Sequence, residues 1–263
     1  MTRANLDVLE ALLLQLELQS LPAVIGISGA QGSGKSTLAA RLVAHFSALG
    51  LRAAAVSLDD YYLSGAQRAQ LAADVHPLLR QRGVPGTHDI DKAIEDARAV
   101  LAGDPVALPR FDKALDEPAA ALPAQQLDLL LVEGWCIGLK PQDKKEIATA
   151  ISPFETQFDA DGRWRCFVNQ QLGGQYQQYW QLFRPLIWLR APDWQQICVW
   201  RAQQEQQLRH KTGRGMDETT LQHFMGSFER LTLAAFTQLE KIAQIQLRLN
   251  AEHLVTQMIG KNQ

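Results

Sequence analysis

The 263-residue sequence lacks the features that would assign it to several special classes of protein. It has no excess of basic residues: the formal net charge is −2, so electrostatic binding to nucleic acid has little support. It contains no apolar run long enough to span a bilayer, no internal repeat and no low-complexity linker. These absences predict a single domain over residues 1–263 without nucleic-acid or membrane partners, and no pattern specifies an oligomeric state.

Cysteine is also scarce, and the three cysteines are far apart and form no C-x-x-C pair: Cys136, Cys166 and Cys198. This excludes a disulfide framework and a zinc site, and it predicts free thiols in a reducing compartment. Residues 1–20 are interrupted by acidic side chains, and leucines recur there at near-helical spacing: Leu6, Leu13, Leu14 and Leu18. An amphipathic helix is therefore expected in place of a signal peptide, and the protein is expected to be cytoplasmic.

The order of apolar segments predicts a parallel sheet. A strand over Val24–Ile27, a helix over Lys35–Leu49 ended by Gly50, and a strand over Ala53–Leu58 form a βαβ unit. Further strands are predicted at Leu129–Val132 and Pro185–Leu189, and further helices at Asp91–Leu101, from Pro192 to about Arg209, and at Asp217–Leu239. Because the early strands do not alternate, helices should cover both faces; the strict alternation of Ile245–Leu249 predicts one solvated face there.

The clearest functional motif is a P-loop of the form G-x-x-x-x-G-K-S/T, comprising Gly29, Ala30, Gln31, Gly32, Ser33, Gly34, Lys35 and Ser36, with Thr37 next in the helix. Its glycines allow backbone N–H groups to surround the phosphates of ATP, while Lys35 reaches the β- and γ-phosphates and Ser36 holds Mg²⁺. A glycine-rich turn can also simply join a strand to a helix. Here the motif follows a predicted strand and opens a predicted helix, as phosphate binding requires.

Two acidic sites follow strands that should end beside the P-loop. Asp59 and Asp60 follow the second strand, where a carboxylate can accept the proton of an attacking hydroxyl. An Asp pair that caps a turn is an equally good reading of those two residues. Glu133 follows Leu129–Val132 as in a Walker-B strand, where it can help to hold Mg²⁺; a charged residue after a strand can also have no function.

Together these motifs resemble the superfamily of phosphoribulokinase, uridine kinase and pantothenate kinase. Within it, several blocks resemble D-glycerate 3-kinase and its close relatives: Arg82 to Asp89 (RGVPGTHD), Pro109 to Lys113 (PRFDK), Glu133-Gly134-Trp135, Asn169 with Leu172 and Tyr176, and Val199-Trp200-Arg201 with Gln204-Glu205. The matches extend from Gly29 to about Met225. Where some relatives have a Gly-Asp-Arg loop after the Asp-Lys pair, this chain has Asp116-Glu117-Pro118.

The resemblance implies a three-layer α/β P-loop kinase fold with a mostly parallel sheet, helices on both faces and a small lid. It implies that Asp59 is the catalytic base, with Lys35 and Glu133 as further catalytic groups, and that Ser36 and Glu133 organise Mg²⁺. It places Arg201 and the segment 211–214, which includes Arg214, near the nucleotide phosphates on a closing lid. A basic, glycine-containing connection between helices can close over ATP and exclude water, or it can simply join two helices.

The acceptor is expected to be a small hydroxy acid, since the glycerate-like blocks carry cationic side chains that suit a carboxylate. Arg82 and Arg110 are candidate guanidinium partners. The same region supplies further candidate contacts to the acceptor: Asp60, Tyr62, His88, Asp89 and Lys113. Taken singly, each of these is as readily a surface or loop residue. The alternatives are a kinase of a nucleoside or of pantothenate, and a regulatory protein that uses its P-loop as a switch.

Overall fold

The computed structural model describes residues 12, 20–213 and 215–260. Its strands are β1 (Ala23–Gly29), β2 (Ala53–Ser57), β3 (Arg110–Asp112), β4 (Glu117–Ala119), β5 (Leu129–Gly134), β6 (Leu186–Arg190), β7 (Ile245–Leu249) and β8 (Val255–Gly260). Its helices are α1 (Lys35–Ala48), α2 (Gly65–Asp74), α3 (Ile90–Ala102), α4 (Lys144–Ala148), α5 (Pro153–Phe158), α6 (Arg163–Gly173), α7 (Gln175–Trp180), α8 (Trp194–Thr212) and α9 (Glu218–Ile242). Short 3₁₀ turns occur at Leu58–Tyr61 and Pro77–Arg80.

Six strands form the main sheet in the order β2-β5-β1-β6-β7-β8. The first five are parallel, and only β8 runs antiparallel to its neighbour β7. Ser28 of β1 lies opposite Gly134 of β5, and Ser57 of β2 lies opposite Glu133. Because parallel strands end at one edge of the sheet, the P-loop, Glu133 and the chain after β2 are brought together there.

Side chains of the central strands alternate between two apolar cores, one on each face of the sheet. Val24 and Leu130 enter the core covered by α3, α6, α7 and α9. Ile25 and Leu131 enter the core covered by α1 and α8. This arrangement explains why the strands are apolar at every position, and it confirms the prediction of a mostly parallel sheet with helices on both faces.

The predicted elements of the βαβ unit, of β5 and β6, and of the three longer helices are confirmed to within a few residues. Aspartate caps explain where the helices begin: Asp89, Asp193 and Asp217 each accept a hydrogen bond from a backbone N–H three residues later. The helix predicted over Asp91–Leu101 therefore starts one residue earlier, at Ile90. Gly103, in the left-handed region at φ 78°, ends this helix.

Two predictions are wrong. The face of β7 that was expected to be solvated is largely covered: Gln246 is 1% exposed and its amide donates to the carbonyl of Glu240 in α9 at 2.8 Å, whereas Arg248 is only partly buried. The connection between helices that was expected to include residues 211–214 is shorter, since α8 continues through Thr212 and ends at Gly213. Lys211 is consequently an exposed residue of the last helical turn, where a cation favours the helix terminus.

The segment 140–180 is largely helical. From the sequence, only Asn169, Leu172 and Tyr176 within it matched the related kinases. Helices α4 and α5 have five and six residues, too few for a 3.6-residue period to be visible in the sequence. A buried ion pair, with 2.6 Å between Arg230 Nε and Glu155 Oε1, joins α5 to α9. The fold of this segment depends on that long-range contact more than on local pattern.

Among the described residues, no helix is both long enough and apolar enough to cross a membrane. The three cysteines are free thiols, as predicted. The amphipathic helix expected from Leu6, Leu13, Leu14 and Leu18 lies outside the described residues.

Candidate active site

The P-loop connects β1 directly to α1. Gly32 and Gly34 have φ values of 78° and 92°, in the left-handed region that glycine adopts without strain. Gly29 must lack a side chain for a different reason, since a Cβ there would lie 2.7 Å from Ser33 Oγ. The Ala30 carbonyl accepts hydrogen bonds from Ser33 N at 3.2 Å and from Lys35 Nζ at 3.0 Å, which closes the loop.

The loop ends at the N-terminus of α1. The first-turn N–H groups of a helix have no acceptor within the helix, and the helix dipole adds positive potential at the same place. Ser36 and Thr37 belong to that first turn. The arrangement is suited to bind phosphate oxygens.

Ser36 and Glu133 meet across the sheet edge. Ser36 Oγ donates to Glu133 Oε1 at 2.7 Å, and Glu133 is buried at the end of β5. Burial lowers the pKa of the Lys35 ammonium, while the carboxylates of Glu133 and Asp59 oppose that shift. The hydroxyl and the carboxylate are hard oxygen donors of the kind that Mg²⁺ prefers, and they lie next to the phosphate-binding loop, so the residues fit a Mg²⁺ site.

The two aspartates after β2 differ in what their carboxylates do. The Asp60 carboxylate accepts the N–H groups of Ser57, at 3.1 Å, and of Phe111, at 3.3 Å. With Ser57 it forms a reciprocal cap on the 3₁₀ turn Leu58–Tyr61. Asp60 is therefore engaged with backbone, and the Asp59 carboxylate instead faces the cavity beside the P-loop.

Asp59 is held by two side chains. Tyr62 Oη donates to Oδ1 at 2.8 Å, and Lys113 Nζ donates to Oδ2 at 2.7 Å. Burial alone would raise the pKa of Asp59, but the Lys113 charge and these two hydrogen bonds outweigh burial and hold the pKa below its usual value. Burial and Asp59 together raise the pKa of Tyr62, which remains a hydrogen-bond donor.

The strands β3 and β4 form a two-stranded hairpin outside the main sheet, and Lys113 lies in the turn between them. We call residues 110–119 the acceptor hairpin. Asp116 in its turn accepts hydrogen bonds from Arg82 and from Arg68, and Glu117 accepts the N–H of Gly65 at 3.1 Å. Arg68 is 2% exposed, so Asp116 neutralises a buried charge while it attaches the hairpin to the site.

The P-loop, Glu133, Asp59 and Lys113 line one cavity of about 350 Å³, which we call the main cavity. Its polar lining includes Gln31, Gly32, Lys35, Ser36, Asp59, Tyr62, Arg82, Lys113, Glu133 and Arg201, all of them predicted site residues. Arg201 Nη1 lies 2.6 Å from the buried Glu205 carboxylate, which fixes its position on α8. The structure therefore brings the P-loop, the candidate base and two guanidinium groups into one space.

Other predicted contacts lie elsewhere. His88 is buried and stacked on Tyr62, with ring centroids 4.6 Å apart, and its Nδ1 lies 2.7 Å from Tyr176 Oη. Burial lowers the pKa of His88 to about 4, so its imidazole is neutral at neutral pH. The Asp89 carboxylate caps α3, and Arg110 is exposed. None of these three lines the main cavity, so His88 and Asp89 are engaged within the scaffold and Arg110 faces solvent. Arg214 lies outside the described residues.

Sequence reasoning missed the apolar wall of the main cavity, formed by Trp135, Met216, Phe224 and Phe228. Trp135 Nε1 donates to the Gly83 carbonyl at 2.8 Å, and its ring packs edge-on against Phe228. The pair Arg68 and Asp116 was also missed. No local pattern marks an arginine that will be buried, and Asp116 was recognised only as a departure from relatives.

A second cavity of about 420 Å³ lies on the other side of the P-loop. It is lined by Gly32, Ser33, Gly34, Thr37 and Arg41 together with the turn between β7 and β8. Gly32 and Gln204 line both cavities. The phosphate-binding loop therefore separates two spaces, one beside Asp59 and one beside the last hairpin of the sheet.

Comparison with known proteins places this site in a family. No protein-family model matches the chain. The chain is 31% identical over 221 residues to the uncharacterized kinase mug58 of Schizosaccharomyces pombe, covering 79% of this chain and 78% of that protein. It is 27% identical over 221 residues to the chloroplastic D-glycerate 3-kinase of Arabidopsis thaliana, again over 79% of this chain, and this match spans 46% of that protein, about half its length.

Among solved structures, the D-glycerate 3-kinase of Cryptococcus neoformans superposes with a TM-score of 0.81, covering 99% of this chain and 100% of that chain at 22% identity. At that identity the superposition establishes the fold. The similarity to mug58 over most of both chains, together with a P-loop that opens a helix beside the ends of β2 and β5, establishes the family. The chain belongs to the ATP-dependent P-loop kinases of small molecules that include D-glycerate 3-kinase.

Proposed function

We propose that this kinase transfers the γ-phosphoryl group of ATP to the terminal hydroxyl of D-glycerate. The observation that carries the proposal is the position of Arg82 in the main cavity, together with Asp59 and the P-loop. A guanidinium fork matches the plane of a carboxylate, and a carboxylate base can accept the proton of a hydroxyl. A hydroxy acid presents both groups within one small molecule.

The charges at this end of the cavity suit an acceptor with one negative charge. Lys113 and Asp59 neutralise each other. Asp116 is shared by the two guanidinium groups of Arg68 and Arg82, which leaves one positive charge uncompensated within this cluster. An acceptor carboxylate would supply the missing negative charge, whereas a neutral nucleoside would not.

The two recognition groups, Asp59 and Arg82, both contact the same residue of the acceptor hairpin. Lys113 contacts Asp59 through Nζ at 2.7 Å, and its own carbonyl accepts from Arg82 Nη2 at 3.4 Å. The base and the guanidinium are thus bridged by a single residue. The apolar wall of Trp135, Phe224 and Phe228 limits the space beside them. A three-carbon acid fits this description better than pantothenate, whose carboxylate lies far from its reacting hydroxyl.

The P-loop and Lys35 would bind the phosphates, and the second cavity would receive the base and ribose of the nucleotide. Ser36 and Glu133 would hold the Mg²⁺ of Mg·ATP, which supplies charge neutralisation on the β- and γ-phosphates when bound. Arg201 reaches the main cavity from α8 and would neutralise charge on the transferring group. Arg214 would belong to a lid that closes over the nucleotide phosphates.

In the reaction, the acceptor hydroxyl oxygen forms a bond to the γ-phosphorus while the bond to the β–γ bridging oxygen breaks and ADP leaves. Asp59 accepts the hydroxyl proton. Tyr62 and Lys113 hold the carboxylate in place and keep it ionised. Three further residues have an indirect role, because they hold elements of the scaffold and do not contact the acceptor: Asp60, His88 and Asp89. Arg110 makes no contact with the acceptor. Catalysis is then mainly positioning and electrostatic stabilisation.

The test compares kcat/KM for D-glycerate, glyceraldehyde, uridine and pantothenate at the same Mg·ATP concentration. We expect D-glycerate to be the best substrate. Glyceraldehyde keeps the reacting hydroxyl but lacks the carboxylate, so it should be turned over poorly if Arg82 pairs with that carboxylate. Higher efficiency with uridine or pantothenate would reject glycerate and retain the kinase. Absence of turnover with every acceptor would favour a regulatory role for ATP hydrolysis.

The carboxylate contact is tested separately with Arg82→Lys. An ammonium cannot reproduce the bidentate fork, so KM for D-glycerate should rise about tenfold while KM for ATP stays close to the wild-type value. Arg110→Lys, at an exposed position outside the main cavity, is the matched control and should leave both constants unchanged. The assignment fails if Arg110→Lys raises KM for D-glycerate and Arg82→Lys does not.

A further inference from the structure

The turn between β7 and β8 reaches back to the P-loop. His253 Nε2 lies 2.9 Å from the carbonyl oxygen of Gly32, which is 221 residues earlier in the chain. A carbonyl oxygen can only accept, so this contact requires the imidazole proton to be on Nε2. The last hairpin of the sheet thereby donates a hydrogen bond to the centre of the phosphate-binding motif.

A second contact fixes the direction of that donor. The His253 ring stacks on Trp200 of α8, with centroids 4.2 Å apart and planes inclined by 25°. Trp200 is 1% exposed, and its Nε1 donates to the Ala251 carbonyl at 2.8 Å. A Cβ on Gly32 would lie 2.9 Å from Trp200 Cβ, so the P-loop backbone is packed against this tryptophan. P-loop, α8 and turn therefore meet at one point.

The backbone of the turn is unusual at this residue. His253 has a φ of 61°, in the left-handed region that only a few per cent of non-glycine residues adopt, with asparagine, aspartate and histidine the commonest among them. Such a conformation persists only where the surroundings hold it, and it often marks a functional position. Here the stacked ring and the bond to Gly32 provide those surroundings.

The consequence for the P-loop follows from the geometry of one peptide. The Gly32 carbonyl is held by His253, and the N–H of the same peptide, on Ser33, donates to the Ala30 carbonyl at 3.2 Å. Both ends of that peptide plane are fixed before any phosphate arrives. A loop that is already ordered loses less entropy and reorganises less when it binds its ligand.

We propose that His253 is a positioning residue for phosphate binding: it acts through the Gly32 carbonyl to hold the P-loop in its phosphate-binding conformation. This proposal does not depend on the identity of the acceptor, because it concerns only the nucleotide. This role differs from a contact with the nucleobase in which nucleotides the His253 substitution should affect. The effect should be largest for nucleotides whose β-phosphate lies in the P-loop.

The test is the affinity of wild-type protein and of His253→Phe for ADP and for AMP, by calorimetry or by competition against a fluorescent ADP analogue. Phenylalanine keeps the stack on Trp200 and loses the donor. One hydrogen bond of this kind corresponds to about a 3- to 10-fold rise in Kd for ADP. Because His253 also lines the second cavity, the Kd for AMP should rise less than the Kd for ADP, and KM for ATP should rise while KM for the acceptor does not.

His210→Phe, at an exposed position near the end of α8, is the matched control and should behave as wild type. If His253→Phe does not fold, His253→Asn tests the same bond with a residue that tolerates positive φ, and the same larger loss for ADP is expected. Equal weakening of ADP and AMP would show a nucleobase contact and overturn the proposal. A lower melting temperature with an unchanged Kd for ADP would show a structural role only, which also overturns it.

Discussion

The two ends of the main cavity are constructed differently. At the nucleotide end, residues 29–37 are consecutive in the chain and lie between a buried strand and a helix. At the acceptor end, Asp59, Arg82 and Lys113 come from three separate segments and are held by ion pairs. The first end is specified by a local motif. The second exists only after distant parts of the chain have been brought together.

The chemistry of the two ends differs in the same way. The nucleotide end offers mainly backbone N–H groups and one helix terminus, together with Lys35 and Ser36. The acceptor end offers ionised side chains that neutralise one another in pairs. Single substitutions should therefore have large and readily assigned effects at the acceptor end. At the nucleotide end only a few positions carry a side chain that matters.

The largest effect that would sharpen this comparison is expected from Lys35→Ala. Its ammonium lies in the main cavity and bonds only the Ala30 carbonyl among the described residues, so its removal should leave the fold intact. Because charge on the transferring phosphoryl group would lose its nearest cation, we expect turnover to fall below detection. Turnover is measured with the acceptor found in the screen, and the melting temperature reports the fold.

Lys144→Ala, on the exposed helix α4, is the control and should retain wild-type turnover. Wild-type turnover in Lys35→Ala would show that the motif is not used for phosphoryl transfer.

A smaller effect is expected where the two ends meet, at the aspartate pair. Asp59→Asn should lower kcat by at least the lower part of the range of about 10²–10⁴-fold that general-base catalysis supplies. Affinity for ATP should change far less. Asp60→Asn is the matched variant. It weakens a cap worth about 0.5–2 kcal/mol, so it should lower the melting temperature and leave kcat close to the wild-type value. The roles are reversed if Asp60→Asn abolishes turnover and Asp59→Asn is nearly silent.

The smallest effect is a change in pH dependence at the acceptor end. In the wild-type protein the pKa of Asp59 lies below its usual value, so the base stays ionised in mildly acidic solution. In Lys113→Met the opposing cation is gone and burial dominates, so the pKa of Asp59 should rise. The acidic limb of the kcat/KM profile should then move to higher pH. Lys140→Met, at an exposed position, should leave the limb in place, and an unmoved limb in Lys113→Met contradicts the coupling.

The same contrast explains how much could be predicted from sequence. The parallel sheet, the P-loop and the positions of Glu133 and Asp59 were all predictable, because a short motif and an apolar period specify each of them locally. Resemblance to relatives added Arg82 and Lys113 as residues of the site. Neither kind of inference showed that Lys113 would contact Asp59, since that pairing depends on how the acceptor hairpin folds back.

Other misses have the same physical origin. The pair formed by buried Arg68 and half-exposed Asp116 joins positions 48 residues apart, and the contact of His253 with Gly32 joins positions 221 apart. The alternation of Ile245–Leu249 predicted a solvated face because the sequence does not show that the end of α9 covers Gln246. Polar residues that are buried by distant partners look in the sequence like residues on a surface.

The acceptor hairpin has a consequence for how such a kinase can change over evolution. Its two strands pair with each other and belong to a separate sheet, so none of the hydrogen bonds between strands of the six-stranded sheet passes through them. Insertions and exchanges within residues 110–119 can alter the groups that hold Asp59 and Arg82 in place and leave the hydrogen bonds of the six-stranded sheet intact. A new acceptor preference could then be selected, or engineered by grafting, through one short segment and its arginine partners.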